Sequence, residues 1–419
     1  MFRERYNLIA MLVLIAFILV TAEVPATAGD VQYRETVVAG GPDRFMEVRH
    51  VVMKGTNRAI GKKLGEIASA LGTGPMSRGS ALLNRTQREY MKSAYPILHE
   101  RMRGIAEAFG LGIDDDSYDF SSIMFFPTAP PGCSAVFYPG AHTESGHGIL
   151  SRNFDFTTGT IEGQRPSGDQ APAVSRPFIF EFYPDKGYAS IAICAFELVG
   201  GVLDGMNEKG LVVAIFGDDD TAVRHGIHPS MDVGLHELMS MRYLLDTCSN
   251  VAEAKEALLL SKHIYAFVPC HYLIADRSGK SFIFEFSPYR HATYIIDGQG
   301  PQCITNHLVS QYPDIEEFPD SVMIDSFDRY RALHDAVAEV GKRFTLEEIT
   351  AINAAVANSA MEFDHPERAP GRTLWHALYD TSDLSLRVKF YLGDRIDTEG
   401  GKAKIAEYSD YIEFTLQPH

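Results

Sequence analysis

A run of chain-breaking residues divides this sequence into two parts with different periodicities. Residues 127–132, Pro-Thr-Ala-Pro-Pro-Gly, interrupt any helix or central strand. Before the run, apolar residues recur every three to four positions, which is the helical spacing. After it, short runs rich in Val, Ile, Phe and Tyr predominate, which predict strands. The chain is therefore expected to keep helices and strands largely in separate stretches, as an α+β protein.

The part before the breaker run predicts a long amphipathic helical region between about Asn57 and Gly110. Its apolar positions include Tyr90, Met91, Tyr95, Leu98, Met102, Ile105 and Phe109. Gly110 marks the expected end of that region, because glycine commonly follows the last helical residue.

The part after the run predicts sheet strands with helices between them. Eight runs have strand composition: AVFY, GILSRNFDF, PFIFEFY, YASIAICAF, GLVVAIF, HYLIAD, SFIFEF and ATYII. Helices are predicted over residues 235–247, 251–260 and 325–340, and Asn250 with Glu253 forms a capping pattern for the second. This order favours a layered α+β fold over a regular βαβ array.

Residues 1–28 have the pattern of an export signal. Arg3 and Arg5 precede the apolar run Leu8–Val20, and residues 26–28, Ala-Thr-Ala, have the small-x-small form that signal peptidase accepts. The run is shorter than the ~20 residues that span a bilayer, and an uncleaved anchor is the alternative. We expect an exported protein, periplasmic or secreted, in a compartment where disulfides can form.

Composition excludes one class of partner. The chain has 419 residues, and its 38 Lys and Arg against 55 Asp and Glu give a formal net charge of -17. A field of that sign repels phosphate backbones, so no nucleic acid partner is expected. The five cysteines are too few for a disulfide scaffold, and their odd number leaves at least one thiol unpaired within a monomer.

Common catalytic and cofactor signatures are absent from the sequence. It has no GxGxxG after a strand, no P-loop, no GxSxG elbow, no HExxH and no CxxC. His225 and His228 have a ligand-like spacing, but glycine and proline surround them and no further ligands are evident. We expect neither a cofactor nor a metal.

Cys133 directly follows the breaker run and begins the first predicted strand. A cut between Gly132 and Cys133 would make this cysteine a chain terminus. Its α-amine, with an ordinary pKa of about 7.7–8.0, would take the thiol proton and later return it to a leaving amine. One residue would then supply both nucleophile and general base. The alternative from the residues alone is an inert, buried cysteine.

The surrounding stretches resemble a known family. GCSAVFYPGAHTESGHGILSRNFDF resembles the amino terminus of N-terminal-nucleophile amide hydrolases of the choloylglycine hydrolase group. DGMNEKGLVVA, HYLIADRSGKSFIFEF, CITNHL, SFDRYRAL and TLWHALYDTSDLSLRVKFYLGD then follow in the order of that group. YPILHERMRGIAEAFG is similar to the prosegment of its isopenicillin N acyltransferase branch. The resemblance spans most of residues 133–394 and implies a four-layer αββα sandwich.

The resemblance also implies how the chain is organised. After the export signal over residues 1–28, it implies a helical prosegment or small subunit over 29–132 and a catalytic domain over 133–419. The precursor would cut itself between Gly132 and Cys133, and its two chains would remain associated. The substrate would be a small N-acyl amide, and a homo-oligomer is compatible with this scheme. Two alternatives stay open: an acyltransferase that passes the acyl group to an amine, and an inactive exported binding protein.

Five residues would carry the chemistry that the resemblance implies. Cys133 would be the nucleophile, and Asp155 would accept a hydrogen bond from its ammonium group. Arg152 would stabilise the thiolate or the nearby carboxylate. Asn306 would present its amide N–H to the developing oxyanion. Arg329 would complete the charged ring around the cysteine.

The sequence departs from the group at one position. Bile-salt hydrolases have an oxyanion-assisting asparagine after the strand that follows NEKG, whereas Gly217 stands at the corresponding place here. A side-chain donor is therefore missing, and another group would have to serve. Arg331 competes with Arg329 for its role, and a disulfide between Cys270 and Cys303 is left open.

Overall fold

The computed structural model of the chain describes residues 30–124, 132–160, 164–165, 172–225, 232–266, 268–287, 292–319, 325–339, 341–358, 367–396 and 404–418. The predicted export signal, the breaker residues 127–131 and His228 lie outside these ranges. None of the helices within the ranges is long and apolar enough to cross a membrane.

Strands in the described residues form a nine-stranded and a seven-stranded sheet. They are β1 (Gln32–Gly40), β2 (Glu47–Gly55), β3 (Gly132–Tyr138), β4 (Ile149–Thr157), β5 (Phe178–Pro184), β6 (Ser190–Cys194), β7 (Val202–Asn207), β8 (Val212–Gly217), β9 (Cys270–Ala275), β10 (Ser281–Ser287), β11 (Ala292–Asp297), β12 (Gln302–Ile304), β13 (Gly371–Asp380), β14 (Ser385–Ile396), β15 (Lys404–Tyr408) and β16 (Ile412–Thr415). The first sheet has the order β1-β2-β5-β6-β7-β8-β9-β10-β11, and the second has the order β12-β3-β4-β13-β14-β15 with β16 also on β14.

The helices confirm the predictions made for the second part of the chain. They are α1 (Asn57–Ala70), α2 (Ala81–Ala94), α3 (Pro96–Ala108), α4 (Asp219–His225), α5 (Glu237–Thr247), α6 (Val251–Leu260), α7 (Ser326–Val337) and α8 (Leu346–Ala355). The Asn250 side chain accepts a hydrogen bond from the Glu253 amide at 3.1 Å, so α6 begins with the predicted cap.

The long amphipathic region predicted before the breaker run is not one helix. Pro96 occupies the first position of α3, and Tyr95 before it has φ -142° and ψ 68°, outside the helical region. Proline has no N–H to donate and restricts the residue before it, so α2 ends at Ala94 and α3 starts anew. The apolar periodicity passes through this break because both helices pack on the same core.

Helices cover the outer faces of the two sheets. Helix α5 packs on β7 and β8, and α1 packs on β2, whereas α7 and α8 contact β3 in the other sheet. The main apolar cluster includes Ile191 and Val213 from the nine-stranded sheet together with Leu150 and Trp375 from the seven-stranded sheet. Strands β3 and β4 are buried along nearly their whole length because both of their faces are covered. The chain thus has the αββα layers.

The segment before Cys133 is part of the nine-stranded sheet. Strand β2 pairs with β5 in parallel, from Arg49 opposite Phe178 to Gly55 opposite Pro184. The prediction of a helical segment over residues 29–132 therefore missed its first two strands. Strand β1 lies at the sheet edge and is exposed along most of its length. Polar residues are tolerated on both faces of such a strand, so it lacks the alternation that reveals strands in a sequence.

A buried cluster of charges also ties this segment to the rest of the chain. Arg101 of α3 donates to both carboxylate oxygens of Asp246 in α5, at 2.6 and 3.2 Å, and both side chains are 0% exposed. Arg242 and Tyr95 contact the same carboxylate. Arg101 also donates to Asn57 Oδ1 at 2.9 Å. These groups have lost their water, so each depends on its partners.

We predict that Arg101→Met destabilises the protein by about 3 kcal/mol, because removing one partner of a buried ion pair leaves the other poorly compensated. Arg103→Met is the matched control, since Arg103 pairs with Glu100 on the surface of the same helix. It should cost less than ~1 kcal/mol. Urea unfolding measures both values, and equal effects would contradict the role given to the buried cluster.

Candidate active site

Cys133 lies near the start of β3, which is the second strand from the β12 edge of the seven-stranded sheet. Strand β4 places Phe154 opposite Cys133, and β12 places Ile304 opposite Ala135 on the other side. Cys133 is 0% exposed in the continuous chain. Its sulfur is therefore enclosed by protein groups, and these groups set its chemistry.

Arg152 lies beside the sulfur. Its Nη2 is 3.4 Å from Cys133 Sγ and donates to the Ile215 carbonyl at 2.8 Å. On β4, Arg152 stands opposite Ala135, two residues along β3 from Cys133. Residues two apart along a strand share a face, which explains why the two side chains meet. A positive charge is thus placed beside the Cys133 sulfur.

Asp204 of β7 neutralises that charge from the opposite sheet. Its carboxylate accepts a hydrogen bond from Arg152 Nη1, and both side chains are 0% exposed. Trp375 Nε1 and Tyr379 Oη donate to the same carboxylate at 3.3 and 2.6 Å. The sequence analysis missed Asp204. The available signal was an acidic residue inside the apolar strand run that precedes NEKG.

Asp155 lies on the other side of the cysteine, opposite Gly132 of β3 and Thr373 of β13. Thr373 Oγ1 donates to Asp155 Oδ1 at 2.5 Å, and Arg329 Nη1 is 3.9 Å from Oδ2. Burial raises the pKa of the Asp155 carboxyl to about 6, and the Arg329 charge opposes this rise. A Cβ on Gly132 would lie 3.3 Å from Asp155 Cβ, so this close approach favours glycine before the cysteine.

Asn306 follows β12 and contacts the main chain of Cys133. Its Oδ1 accepts the Cys133 N–H at 2.6 Å, and its Nδ2 donates to the Gly217 carbonyl at 2.8 Å. The side-chain amide therefore orients the Cys133 nitrogen in the continuous chain, and its N–H is directed to the Gly217 carbonyl. Gly217, where the resembling group has an asparagine, supplies that carbonyl.

Arg329 of α7 reaches the same point from the helical layer. It donates to the Cys133 carbonyl at 2.5 Å and to Asn306 Oδ1 at 2.9 Å. It also pairs with Asp325 at 2.9 Å. Arg331 instead pairs with Asp328 in a partly exposed position. The structure thus places Arg329, and not its competitor, at the cysteine.

A second row of polar groups holds Asn306 in place. Ser326 Oγ accepts the Asn306 N–H at 2.7 Å and contacts Thr305 Oγ1 at 2.9 Å and His307 Nδ1 at 2.8 Å. All of these residues are 0% exposed. The sequence analysis missed Ser326, although it is the first residue of the SFDRYRAL stretch that carries part of the resemblance.

The environment of Cys133 keeps its thiol neutral before any cut. Burial raises the pKa of the Cys133 thiol to about 12, and the charge of Arg152 opposes the rise. Its nitrogen is a peptide amide in the continuous chain and cannot act as a base. Arg152, Asn306 and Arg329 thus already contact Cys133 in the continuous chain, but Cys133 itself has no amine that could accept its thiol proton.

Aromatic residues near the cysteine pack into the core. The Phe154 ring stacks on Trp375 with centroids 4.0 Å apart, and Phe156 stacks on Phe154 at 5.9 Å. Phe137 and Phe154 are 0% exposed. In this conformation these rings support the sheet face that carries Arg152.

Within the described ranges, His147, Asp380 and Asp383 have ligand atoms close enough to hold a metal ion. Asp380 stands opposite Ile149, at the other end of β4 from Asp155. A bound ion there would not touch Cys133. All five cysteines are free thiols in the structure, so Cys270 and Cys303 do not form the disulfide that the sequence left open.

Comparison with known proteins gives one family match and several structural likenesses. The family described as acyl-coenzyme A:6-aminopenicillanic acid acyl-transferase matches residues 142–397, a range that contains Arg152, Asp155, Asn306 and Arg329 and begins after Cys133. No curated protein matches.

Two solved structures illustrate the structural likeness. A mutant of conjugated bile acid hydrolase from Clostridium perfringens aligns with a TM-score of 0.43 and 16% identity, over 66% of this chain and 92% of that one. Penicillin V acylase from Agrobacterium tumefaciens aligns with a TM-score of 0.42 and 18% identity, over 62% of this chain and 83% of that one.

Proposed function

Since this chain belongs to the acyl-coenzyme A:6-aminopenicillanic acid acyl-transferase family, we propose that it is an exported cysteine N-terminal-nucleophile enzyme that cuts itself between Gly132 and Cys133. The family makes it an enzyme that acts on the C–N bond of a linear amide, as a hydrolase or an acyltransferase. In the proposal, Cys133 attacks the acyl carbon of a small N-acyl amide, and the two chains made by the cut stay together.

The observation that carries the proposal is the convergence of three side chains on one residue. Arg152 contacts the sulfur of Cys133 at 3.4 Å, Asn306 contacts its nitrogen at 2.6 Å and Arg329 contacts its carbonyl oxygen at 2.5 Å. Buried main-chain N–H and C=O groups need partners in any residue, but a buried cysteine that served packing alone would not need a guanidinium at its sulfur.

The self-cleavage step converts the Gly132–Cys133 peptide bond first into a thioester and then, with water, into two chain ends. The Cys133 sulfur attacks the Gly132 carbonyl carbon, the peptide C–N bond breaks, and the thiol proton passes to the nitrogen, which becomes an amine. Water then hydrolyses the resulting thioester, which leaves a carboxylate on Gly132 and restores the thiol. Asp155, opposite Gly132, would stabilise the ammonium form of the new amine.

In turnover, the α-amine of Cys133 would take the thiol proton as the sulfur attacks the substrate. The ammonium would return that proton to the leaving amine, and an acyl-Cys133 thioester would remain. Water would release a carboxylic acid, whereas an amine would form a new amide. Arg152 would favour the thiolate. The Asn306 N–H would have to turn away from the Gly217 carbonyl, and it would then stabilise the oxyanion.

We predict that the purified wild-type protein contains a chain beginning at Cys133, while Cys133→Ala remains one chain. The reason is that the sulfur is the attacking atom of the cut. Intact-mass measurement and amino-terminal sequencing distinguish the two forms. A wild type that stays uncut and yet turns over amides would refute the mechanism, and an uncut, inactive wild type would favour the binding-protein alternative.

The pKa values of two groups predict different pH dependences for the two reactions. With a pKa of about 6 in the continuous chain, Asp155 takes a proton as the pH falls, so the cut should slow about tenfold per pH unit below 6. In turnover the α-amine of Cys133 must be unprotonated to take the thiol proton, so the acid limb of turnover should follow that amine, with its ordinary pKa of about 7.7–8.0, and lie at higher pH than the limb of the cut. Asp155→Asn should slow both reactions and remove only the acid limb of the cut; a limb near pH 6 that persists in the cut of this variant would assign it to another group.

Acyl transfer is the second candidate, because the matching family is described as an acyl-transferase. We predict that processed enzyme releases free acid from one member of a panel of acyl-amino acids, acyl-homoserine lactones and phenoxymethyl penicillins. Added amine should shift the product toward a new amide if the thioester prefers an amine to water. Cys133→Ala is the control. Unchanged product with any amine would mean hydrolysis alone.

A further inference from the structure

Glu197 is a buried carboxylate outside the group that surrounds Cys133. It lies in the connection between β6 and β7 and is 0% exposed. Its oxygens accept three backbone N–H groups, from Ile123 at 2.8 Å, Val199 at 2.7 Å and Gly200 at 2.5 Å. A buried carboxylate needs such donors to replace its lost water.

One of the three donors comes from the segment before the proposed cut. The Ile123 N–H binds Glu197, and the Ile123 carbonyl accepts the Leu198 N–H at 3.0 Å. Met124 forms an antiparallel bridge with Glu197. The upstream chain is therefore paired with this turn just before it continues toward Gly132 and Cys133. The bonds to Val199 and Gly200 hold the turn itself.

The backbone of residues 196–201 has an unusual conformation that places the Glu197 carboxylate beside Ile123. Phe196 has φ 71°, a left-handed conformation that costs a non-glycine residue about 1–2 kcal/mol. A Cβ on Gly201 would lie 1.7 Å from the Glu197 carbonyl oxygen, so the turn can close only on glycine there. The Phe196 ring packs against Phe156 at 5.4 Å, and Phe156 lies next to Asp155 on β4.

We infer that Glu197 is a positioning residue for the self-cleavage step: it fixes the upstream chain at Ile123 and Met124, on a turn that packs against the strand bearing Asp155. The inference rests on the proposed function, because the step being positioned is the proposed cut. Attack on a carbonyl depends steeply on the placement of the reacting groups. Glu197 holds one end of the connection to that carbonyl and makes no contact with Cys133.

The test compares variants that remove the bond from either side. Glu197→Ala removes all three contacts, whereas Ile123→Pro removes the N–H that crosses between the segments together with the buried Ile123 side chain. Ile123→Ala keeps that N–H and shows how much of the effect comes from the lost side chain. Glu253→Ala is the matched control, because Glu253 also accepts a backbone N–H, from Ser249 at 2.7 Å, but on the surface. Pulse-labelled protein made by cell-free translation at pH 8 is followed for loss of the full-length chain.

We expect Glu197→Ala and Ile123→Pro each to slow the cut about tenfold or more, as the loss of a hydrogen bond to a charged group implies. The double variant should be no slower than the slower single variant, because the bond that Ile123→Pro removes is already lost in Glu197→Ala. Glu253→Ala should cut at the wild-type rate. The kcat per processed chain, counted by intact mass and amino-terminal sequencing, should stay at the wild-type value in every variant that has been cut.

Several outcomes would overturn the inference: wild-type cutting by Glu197→Ala, additive slowing in the double variant, or an equal loss of kcat per processed chain. If Glu197→Ala does not fold, Glu197→Gln replaces it. Its remaining oxygen can keep the Ile123 and Val199 contacts, so the cut should slow less than in Ile123→Pro. A wild type that never cuts would remove the proposed self-cleavage itself, whereas cutting that ignores Glu197 and Ile123 removes only this inference.

Discussion

The ion pair between Arg152 and Asp204 joins the two sheets beneath the cysteine, and the site depends on it. Arg152 belongs to β4 and Asp204 to β7, and both are fully withdrawn from water. Such a pair is tolerated only when further hydrogen bonds offset the lost hydration. The Ile215 carbonyl, Trp375 and Tyr379 supply them. The guanidinium is thereby fixed against the sulfur, which a flexible surface arginine could not achieve.

The segment before Cys133 takes part in the same architecture. Strand β2 extends the nine-stranded sheet, and Arg101 reaches a buried carboxylate in α5. The bond proposed to break therefore lies within one folded unit and not between two that merely touch. This arrangement explains how polar groups can surround Cys133 in the continuous chain, before the proposed cut. It also gives Glu197 its proposed role, because the chain leading to the proposed cut is held to the core at Ile123.

Burial and the two nearby arginines act in opposite directions on the pKa values of Cys133 and Asp155. It raises the pKa of the Cys133 thiol and of the Asp155 carboxyl, and in both cases it favours the neutral form. Arg152 and Arg329 oppose that effect with positive charge. A terminal ammonium at Cys133 would add a further cation where Asp155 can pair with it. A cut chain would thus differ from the continuous one in charge more than in architecture.

The sequence by itself determined the strand runs after Cys133, the cap of α6 at Asn250 and the sandwich that the order of its motifs implies. These features are local, because periodicity and capping act over a few residues. Only the tertiary structure decided that Asp204 neutralises Arg152, that Arg329 and not Arg331 meets the cysteine, and that exposed β1 completes a sheet edge. Such choices depend on which distant strands pair and in what register. Contacts between groups 52 or 196 residues apart, such as Arg152 with Asp204 or Arg329 with Cys133, leave no periodic trace in the chain.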